Sequence, residues 1–292
     1  MAVLGQALDG RSSAKYHEEL IRKKLDQWEN RHGTPPEMTL ATVQIGKSAD
    51  IELYSKHLGK ALSRFGIRHV EKKFTDAAPE HGGLMNEVLK LYRDPSLTGV
   101  MIFSPLPASV DGPGLFMQMP LDKDIEGRTF MKRNPFGVFS PTAKAVLALL
   151  RHLERADKKF MIAGKHAVMV GHSDLVGKPT AALLLDAGAT VTVCHKDTQD
   201  LLKYISDADI LVVAIGRPRF VQGSWVKEDA VVIDVGENAV EQSVVGDVDF
   251  EGVRARASYV TPVPGGIGPL TNLMVVENLL MLHEYKALHG NH

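Results

Sequence analysis

The stretch with the most chemical content reads HAVMVGHSDLVGKPTAALLLDAGATVTVCH. A β-branched run from His166 to Val170 enters Gly171-His172-Ser173. Val176, Gly177 and Pro179 follow, and a second apolar run ends at His195. The spacing predicts strand, tight turn, helix and strand, a βαβ unit of mononucleotide-binding type. Gly171 and Gly177 let the backbone approach a pyrophosphate, whose charge is met by the helix N-terminus. Pro179 suits a first helical turn, where its missing N–H has no partner to lose. The turn departs from G-x-G-x-x-G because Ser173 replaces the second glycine. At the end of the second strand stand His195, Lys196 and Asp197. An acidic residue there favours a free ribose 2′-hydroxyl and a basic one a 2′-phosphate. Lys196 comes first and His172 lies in the facing turn, which reads toward NADP and leaves NAD open.

A second stretch, ELYSKHLGKALSRFGI, sets Tyr54 and Leu58 about 40° apart on a helix, so both look the same way. Lys56 and Lys60 fall about 200° and 240° from Tyr54, on a face expected to be solvated. A tyrosine there can stack on an aromatic ring, whereas a leucine cannot move a proton.

Strands and helices must position these groups. The run MTLATVQIG predicts a buried strand leading to the helix of Tyr54, then strand GIRHVEKKF, helix GGLMNEVLKLYRD and strand TGVMIFSPLP. An earlier helix, SAKYHEELIRKKLDQWENRHG, is expected to be capped by Ser13 and stopped by Gly33, Pro35 and Pro36. PTAKAVLALLRHLERA predicts a long amphipathic helix without a strand partner, a domain bridge. Beyond it, KHAVMVG, TVTVCH, DILVVAIG, AVVIDVG and YVTPVPGG restart the alternation, and TNLMVVENLLMLHEYKAL is a closing helix expected to return to the first domain. Alternating strands and helices imply parallel sheets covered by helices. The chain therefore reads as α/β, with two domains over 292 residues: 1–143 plus 269–292, and 144–268.

Composition narrows the class. A net charge of −1 gives no electrostatic case for a nucleic-acid or membrane surface. No apolar segment has the length of a membrane span, and the first residues lack a basic-then-apolar leader pattern. With a single cysteine, Cys194, no internal disulfide can form, which suits a reducing compartment, and the expected location is the cytoplasm. No metal site is expected.

With these residues in hand, the chain resembles the bifunctional methylenetetrahydrofolate dehydrogenase/methenyltetrahydrofolate cyclohydrolase family over nearly its whole length. VGHSDLVGKP is similar to the family's V-G-R-S-x-x-V-G-x-P, with His172 in place of arginine. TVTVCH, AIGRPRFV, VVIDVG, GDVDF and TPVPGGIGPLT match its cofactor-domain signatures, and PLP (Pro105 to Pro107) and DKDIEG (Asp122 to Gly127) match those of its substrate domain. The resemblance implies an N-terminal α/β substrate domain, a Rossmann-type dinucleotide-binding domain, a cleft between them that binds folate, and a homodimer. It assigns cofactor contacts to Gly171, His172, Ser173, Val176, Gly177 and Pro179, then to His195, Lys196, Ala214, Ile215 and Gly216, and to Gly236 and Thr271. Substrate contacts fall on Tyr54, Pro105, Leu106, Asp124 and Glu126, with Pro264, Gly265 and Gly266. Tetrahydrofolate is the implied one-carbon carrier.

The departures from the family pattern gather at the catalytic positions. Leu58 stands for lysine, Phe103 for glutamine, Glu126 for aspartate, Ile51 for serine, and RTF for F-H-P ahead of a shortened connection to Pro141. Glu126 is expected to hold the pterin's amino and N–H edge through two acceptor oxygens. Three readings follow: an NADP-preferring dehydrogenase that has lost cyclohydrolase activity, a transferase passing the one-carbon unit to another acceptor, and a non-catalytic folate- or nucleotide-binding protein.

Overall fold

The β-branched runs become parallel strands, and their order creates two places where a ligand can be met. A computed structural model describes residues 4–75, 83–128, 137–241 and 243–289. The first elements are β1 (Gln6–Ala7), α1 (Gly10–His32), β2 (Thr39–Ile45), α2 (Ala49–Ser63), β3 (Arg68–Phe74), α3 (Gly83–Arg93), β4 (Gly99–Ile102) and α4 (Gly112–Met117). Next come α5 (Pro141–Ala156), β5 (His166–Val170), α6 (Gly177–Asp186), β6 (Thr190–Cys194), α7 (Leu201–Asp207) and β7 (Ile210–Val213). The chain ends with β8 (Val231–Asp234), β9 (Asn238–Val240), β10 (Ser243–Val245), α8 (Phe250–Arg254), β11 (Tyr259–Val260) and α9 (Gly268–His289). Among the described residues no helix is long and apolar enough to cross a membrane.

The chain divides into two units, Glu18–Pro141 with Val275–His292, and Met1–His17 with Thr142–Met274. The sequence reading placed residues 1–143 together. The difference at the N-terminus arises because β1 pairs in parallel with β11, Gln6 beside Tyr259 and Ala7 beside Val260. A two-residue strand carries no periodic signal. The expected cap of α1 also differs. The helix begins at Gly10, the Arg11 N–H is taken by Asp9 Oδ1 at 2.8 Å, and Ser13 lies buried inside the helix. Gly10 is required where it stands, since a Cβ would lie 1.8 Å from the Gly266 carbonyl oxygen.

In the first of these units β2 lies between β3 and β4, all parallel. All seven residues of β2 are buried, which explains its nearly continuous apolar run. One face packs Ala41, Val43 and Ile45 against Leu84, Val88, Tyr92 and Leu115. The other carries Thr42 and Gln44 toward α2. There Thr42 Oγ1 lies 2.8 Å from His69 Nε2, and Ser55 Oγ donates to the Glu71 carboxylate. Burial holds the His69 imidazole below its usual range. Ser48 caps α2 by accepting from the Ile51 N–H, and the helix buries Ile51, Ser55, Leu58 and Leu62.

In the other unit six parallel strands run in the order β1-β11-β8-β7-β5-β6. From β5 the chain moves outward to β6, then crosses back to β7 on the opposite side. Such a switch of direction opens a crevice beyond the carboxyl end of β5, where ligands of open α/β sheets bind. The antiparallel hairpin β9–β10 was not expected from the sequence.

Helix α9 joins the first unit from Val275. There Asn278, fully buried, donates to the carbonyl oxygens of Ile125 and Phe139, each at 2.8 Å. Asn278→Leu would strand both carbonyls in the interior, and we expect a loss of about 2–4 kcal/mol in urea unfolding. A loss below about 0.5 kcal/mol would mean that the amide is not what holds these segments.

Candidate functional site

In the unit of the six-stranded sheet the strand-turn-helix piece folds as its spacing predicts. Gly171 takes φ +117° at the end of β5, with no room for a Cβ, which would lie 2.2 Å from the Ala214 carbonyl oxygen. Ser173, at the place of a second glycine, closes the turn into α6. Its Oγ accepts from the N–H groups of Val176 (3.2 Å) and Gly177 (3.3 Å). Pro179 is buried in the first turn of that helix.

The adenosine-end candidates are His172, His195 and Lys196. The His172 and His195 rings lie 4.9 Å apart. His195 Nδ1 accepts from the Asp197 N–H at 3.2 Å, which leaves Nε2 as its donor in the neutral ring. The Lys196 ammonium is paired with Asp197 at 2.8 Å and 2.9 Å, both side chains being exposed.

The sequence reading missed what shapes the loop Ala214, Ile215 and Gly216. Asp247, fully buried, accepts from the N–H groups of Ile215 (2.6 Å), Gly216 (3.0 Å) and Arg217 (2.8 Å) and from Asn238 Nδ2 (2.9 Å). Asp234 in turn accepts from the N–H groups of Gly236 (2.9 Å), Asp247 (3.0 Å) and Val248 (2.9 Å). Burial pushes the Asp234 carboxyl up to about 7, against those three donors and with Asp247 adding to the rise. Gly236, expected at the cofactor, makes room for this network, since a Cβ there would lie 2.2 Å from Asp247 Cγ. The motifs VVIDVG and GDVDF held both aspartates, but nothing in their spacing says that they meet.

The fit to a dinucleotide rests on open backbone at the switch point. Gly216 has φ +64°, and its chain neighbours aside, no atom of the described residues comes within 4 Å of where its Cβ would stand. Thr271 Oγ1 donates back to the carbonyl oxygen of Ile267, just ahead of α9, at 3.4 Å. Gly265 accepts from the Gly10 N–H at 2.9 Å, so the Pro264–Gly266 loop seats the start of α1.

In the unit of the three-stranded sheet, Tyr54 near the start of α2, Phe103 and Glu126 gather at the carboxyl ends of β2 and β4, and Leu58 follows Tyr54 one turn along α2. The Tyr54 ring meets Phe103 edge-on, centroids 5.7 Å apart at 84°. Leu58 is 0% exposed and Phe103 5%. Lys56 and Lys60 are exposed, as their helical positions required. Pro105 is exposed after a cis Ser104–Pro105 bond, and Leu106 packs against the core below the sheet.

Both carboxylate oxygens of Glu126 have partners within the protein: Oε2 accepts from Arg128 Nε (3.0 Å) and the Ile102 N–H (3.3 Å), and Oε1 from Arg128 Nη2 (3.2 Å). Arg128 Nη2 also reaches the Ile102 carbonyl (3.1 Å) and Ser104 Oγ (3.0 Å), and its Cζ sits 3.9 Å over the Phe116 ring. Burial raises the Glu126 carboxyl above its usual range, with Arg128 opposing. Asp124, fully buried, accepts from the Arg128 N–H at 3.2 Å. Lys123 anchors the segment from beneath, donating to the carbonyls of Asp94 (2.7 Å) and Leu97, and burial lowers its pKa to about 8. Arg128 was visible in the sequence only as part of a departure from the family pattern. Thr129 and Phe130 of that motif, and most of the shortened connection, lie outside the described residues. Among the described residues no cluster is arranged to hold a metal ion.

Two family models match the chain. Residues 140–287 match the tetrahydrofolate dehydrogenase/cyclohydrolase NAD(P)-binding domain, and residues 8–126 the catalytic domain. The bifunctional protein FolD of Dictyoglomus turgidum is 38% identical over 284 residues, covering 95% of this chain and 97% of that protein. The crystal structure of the bifunctional enzyme FolD, a methylenetetrahydrofolate dehydrogenase/cyclohydrolase from Campylobacter jejuni, superposes with a TM-score of 0.86 at 32% identity, covering 96% of this chain and 99% of that one. The Trypanosoma brucei enzyme, complexed with NADP cofactor and inhibitor, gives 0.84 at 31% identity, covering 98% and 99%.

The raised Asp234 carboxyl makes a test of the loop network. Between its ordinary 3.8 and about 7 the folded chain holds a proton that the unfolded chain has released. Stability from this group therefore falls as pH rises through that window. Asp234→Asn should lower Tm overall and flatten its pH dependence between about pH 4 and 7. A slope unchanged by the substitution would assign the titration to another group.

Proposed function

Given that the chain belongs to the tetrahydrofolate dehydrogenase/cyclohydrolase family, we propose that it is a 5,10-methylenetetrahydrofolate dehydrogenase that prefers NADP and has lost cyclohydrolase activity. The observation that carries this reading is Leu58. It is fully buried, one helical turn from Tyr54, where the family resemblance places a lysine.

Opening a methenyl bridge requires water addition and proton movement, for which a positioned acid or base contributes about 10²–10⁴-fold. Leu58 and Phe103 supply neither donor nor acceptor. The lysines of α2 point into solvent, and His69 is engaged with Thr42. Hydride transfer makes no such demand on position 58. The nicotinamide, when bound, supplies the hydride chemistry, and the protein's share is to orient and to exclude water. Tyr54 offers an aromatic face for a ring to stack on. Leu58 and Phe103, apolar and buried, give water beside it no hydrogen-bond partner. A dry wall also protects an iminium from water, which favours the second reading, transfer of the one-carbon unit to another acceptor.

For the cofactor, the residues of the turn and loop that would hold it are Gly171, Gly177 and Gly216, with His172, His195 and Lys196 around a 2′-phosphate. Lys196 is free to meet that phosphate at small cost, because an exposed ion pair such as that with Asp197 is worth about 0–1 kcal/mol.

Two measurements test the reading. The unaltered protein should reduce NADP with methylenetetrahydrofolate yet open methenyltetrahydrofolate no faster than buffer does. Leu58→Lys with Phe103→Gln should restore part of the hydrolysis, and Leu58→Lys alone should restore less. Hydrolysis at the rate of a bifunctional relative would sink the proposal, and folate binding without reduction of either nucleotide would transfer support to the one-carbon transferase. In calorimetry, NADP should bind more tightly than NAD, with Lys196→Ala narrowing the difference. Equal affinities would remove the role given to Lys196.

A further inference from the structure

Neither family match reaches residues 127–139, and Arg128 lies in that interval. Its side chain is nevertheless 13% exposed, against 8% for Glu126, and it makes polar contacts with Glu126, Ile102 and Ser104. A carboxylate offers about four lone-pair sites and a guanidinium five N–H donors. On Glu126, Oε2 takes two donors and Oε1 one, so Oε1 retains acceptor capacity. On Arg128, Nε and Nη2 are committed to Glu126, Ile102 and Ser104, and among the described residues the two N–H groups of Nη1 meet no hydrogen-bond acceptor. Phe116 beneath the guanidinium, at 3.9 Å, fixes its plane.

We propose that Glu126 and Arg128 together read a ring edge that carries both an N–H donor and a carbonyl acceptor, and that Arg128 is the residue that selects for the carbonyl. This rests on the folate reading above. A pterin edge presents a 4-oxo acceptor, a ring N–H and a 2-amino group. Glu126 Oε1 accepts from the amino or ring N–H, and Arg128 Nη1 donates to the 4-oxo oxygen. A carboxylate alone reads only donors: it accepts from the 2-amino group of either ring, but in the neutral 4-amino ring it loses the ring N–H, whose nitrogen there carries a lone pair. With Arg128 in place, a 4-amino group turns its own N–H toward the guanidinium N–H, leaving donors unpaired in a site closed on one side by Phe116. Unpaired buried donors of this kind correspond to about 10- to 100-fold in affinity.

The test compares tetrahydrofolate with its 4-amino analogue by calorimetry on the intact protein, Arg128→Lys and Arg128→Met, each checked by thermal melting. The unaltered protein should prefer the 4-oxo ring by about 10- to 100-fold. Arg128→Met should lower the ratio by about tenfold, leaving the part that Glu126 reads, and Arg128→Lys should keep an intermediate preference, since it retains a cation without the fork. Equal binding of the two rings by the unaltered protein overturns the assignment while leaving the folate reading intact. Binding of neither ring overturns both. An Arg128→Met variant that loses affinity for both rings equally would make Arg128 a purely structural partner of Glu126. Should that variant fail to fold, the ratios of the unaltered protein and of Arg128→Lys still decide.

Discussion

A carboxylate removed from water has to be met by N–H donors, and that requirement shapes both candidate sites. In the nucleotide unit Asp247 gathers three successive backbone N–H groups, bending the loop after β7 around one side chain. Asp234 holds the N–H of Asp247 itself, so one buried acid fixes the next. The glycines follow from this arrangement. A Cβ on Gly236 or Gly246 would strike the aspartates at 2.2 Å or 1.8 Å. In the substrate unit Glu126 is met by a guanidinium and by the Ile102 N–H at the end of β4. The carboxyl end of each sheet is thus organised by buried charge rather than by apolar packing.

Parallel topology supplies the other half of the arrangement. A parallel strand ends with its polar groups pointing past the sheet, and a reversal of strand order leaves space beside them. Both units have such a reversal. In the nucleotide unit β5 lies between β6 and β7, and in the other β2 lies between β3 and β4. Tyr54 follows β2, Phe103 follows β4, and Glu126 is tied to the same end through Ile102.

Replacing a lysine and a glutamine by Leu58 and Phe103 changes more than two side chains. Ser48 caps the helix, which buries the row Ile51, Ser55, Leu58 and Leu62. In the proposed reading, Leu58 in that row and Phe103 leave no group there to move a proton. The Tyr54–Phe103 edge contact adds an apolar surface of the kind that binds a flat ring and resists water.

Much of this was legible in the sequence. The alternation of strand and helix, the turn at Gly171 and the solvated face bearing Lys56 and Lys60 all follow from local spacing, because hydrophobic period and turn chemistry act over a few residues. Tyr54, Leu58, Phe103 and Glu126 could be named from motif and family resemblance. The partners of the carboxylates could not. Asp247 meets Ile215 across 32 residues, and Asn278 meets Ile125 across 153. Arg128 lies only two residues from Glu126, yet whether it folds back onto that carboxylate or turns to solvent depends on Ile102, Ser104 and Phe116, brought there by β4 and α4. The N-terminal strand joined the nucleotide unit for the same reason, since two residues acquire a place only when β11 offers them an edge. Local sequence determined which elements form and which chemical groups they carry. Tertiary structure decided which of those groups are already occupied by one another, because the energy of a buried charge depends on neighbours that the chain brings together only when folded.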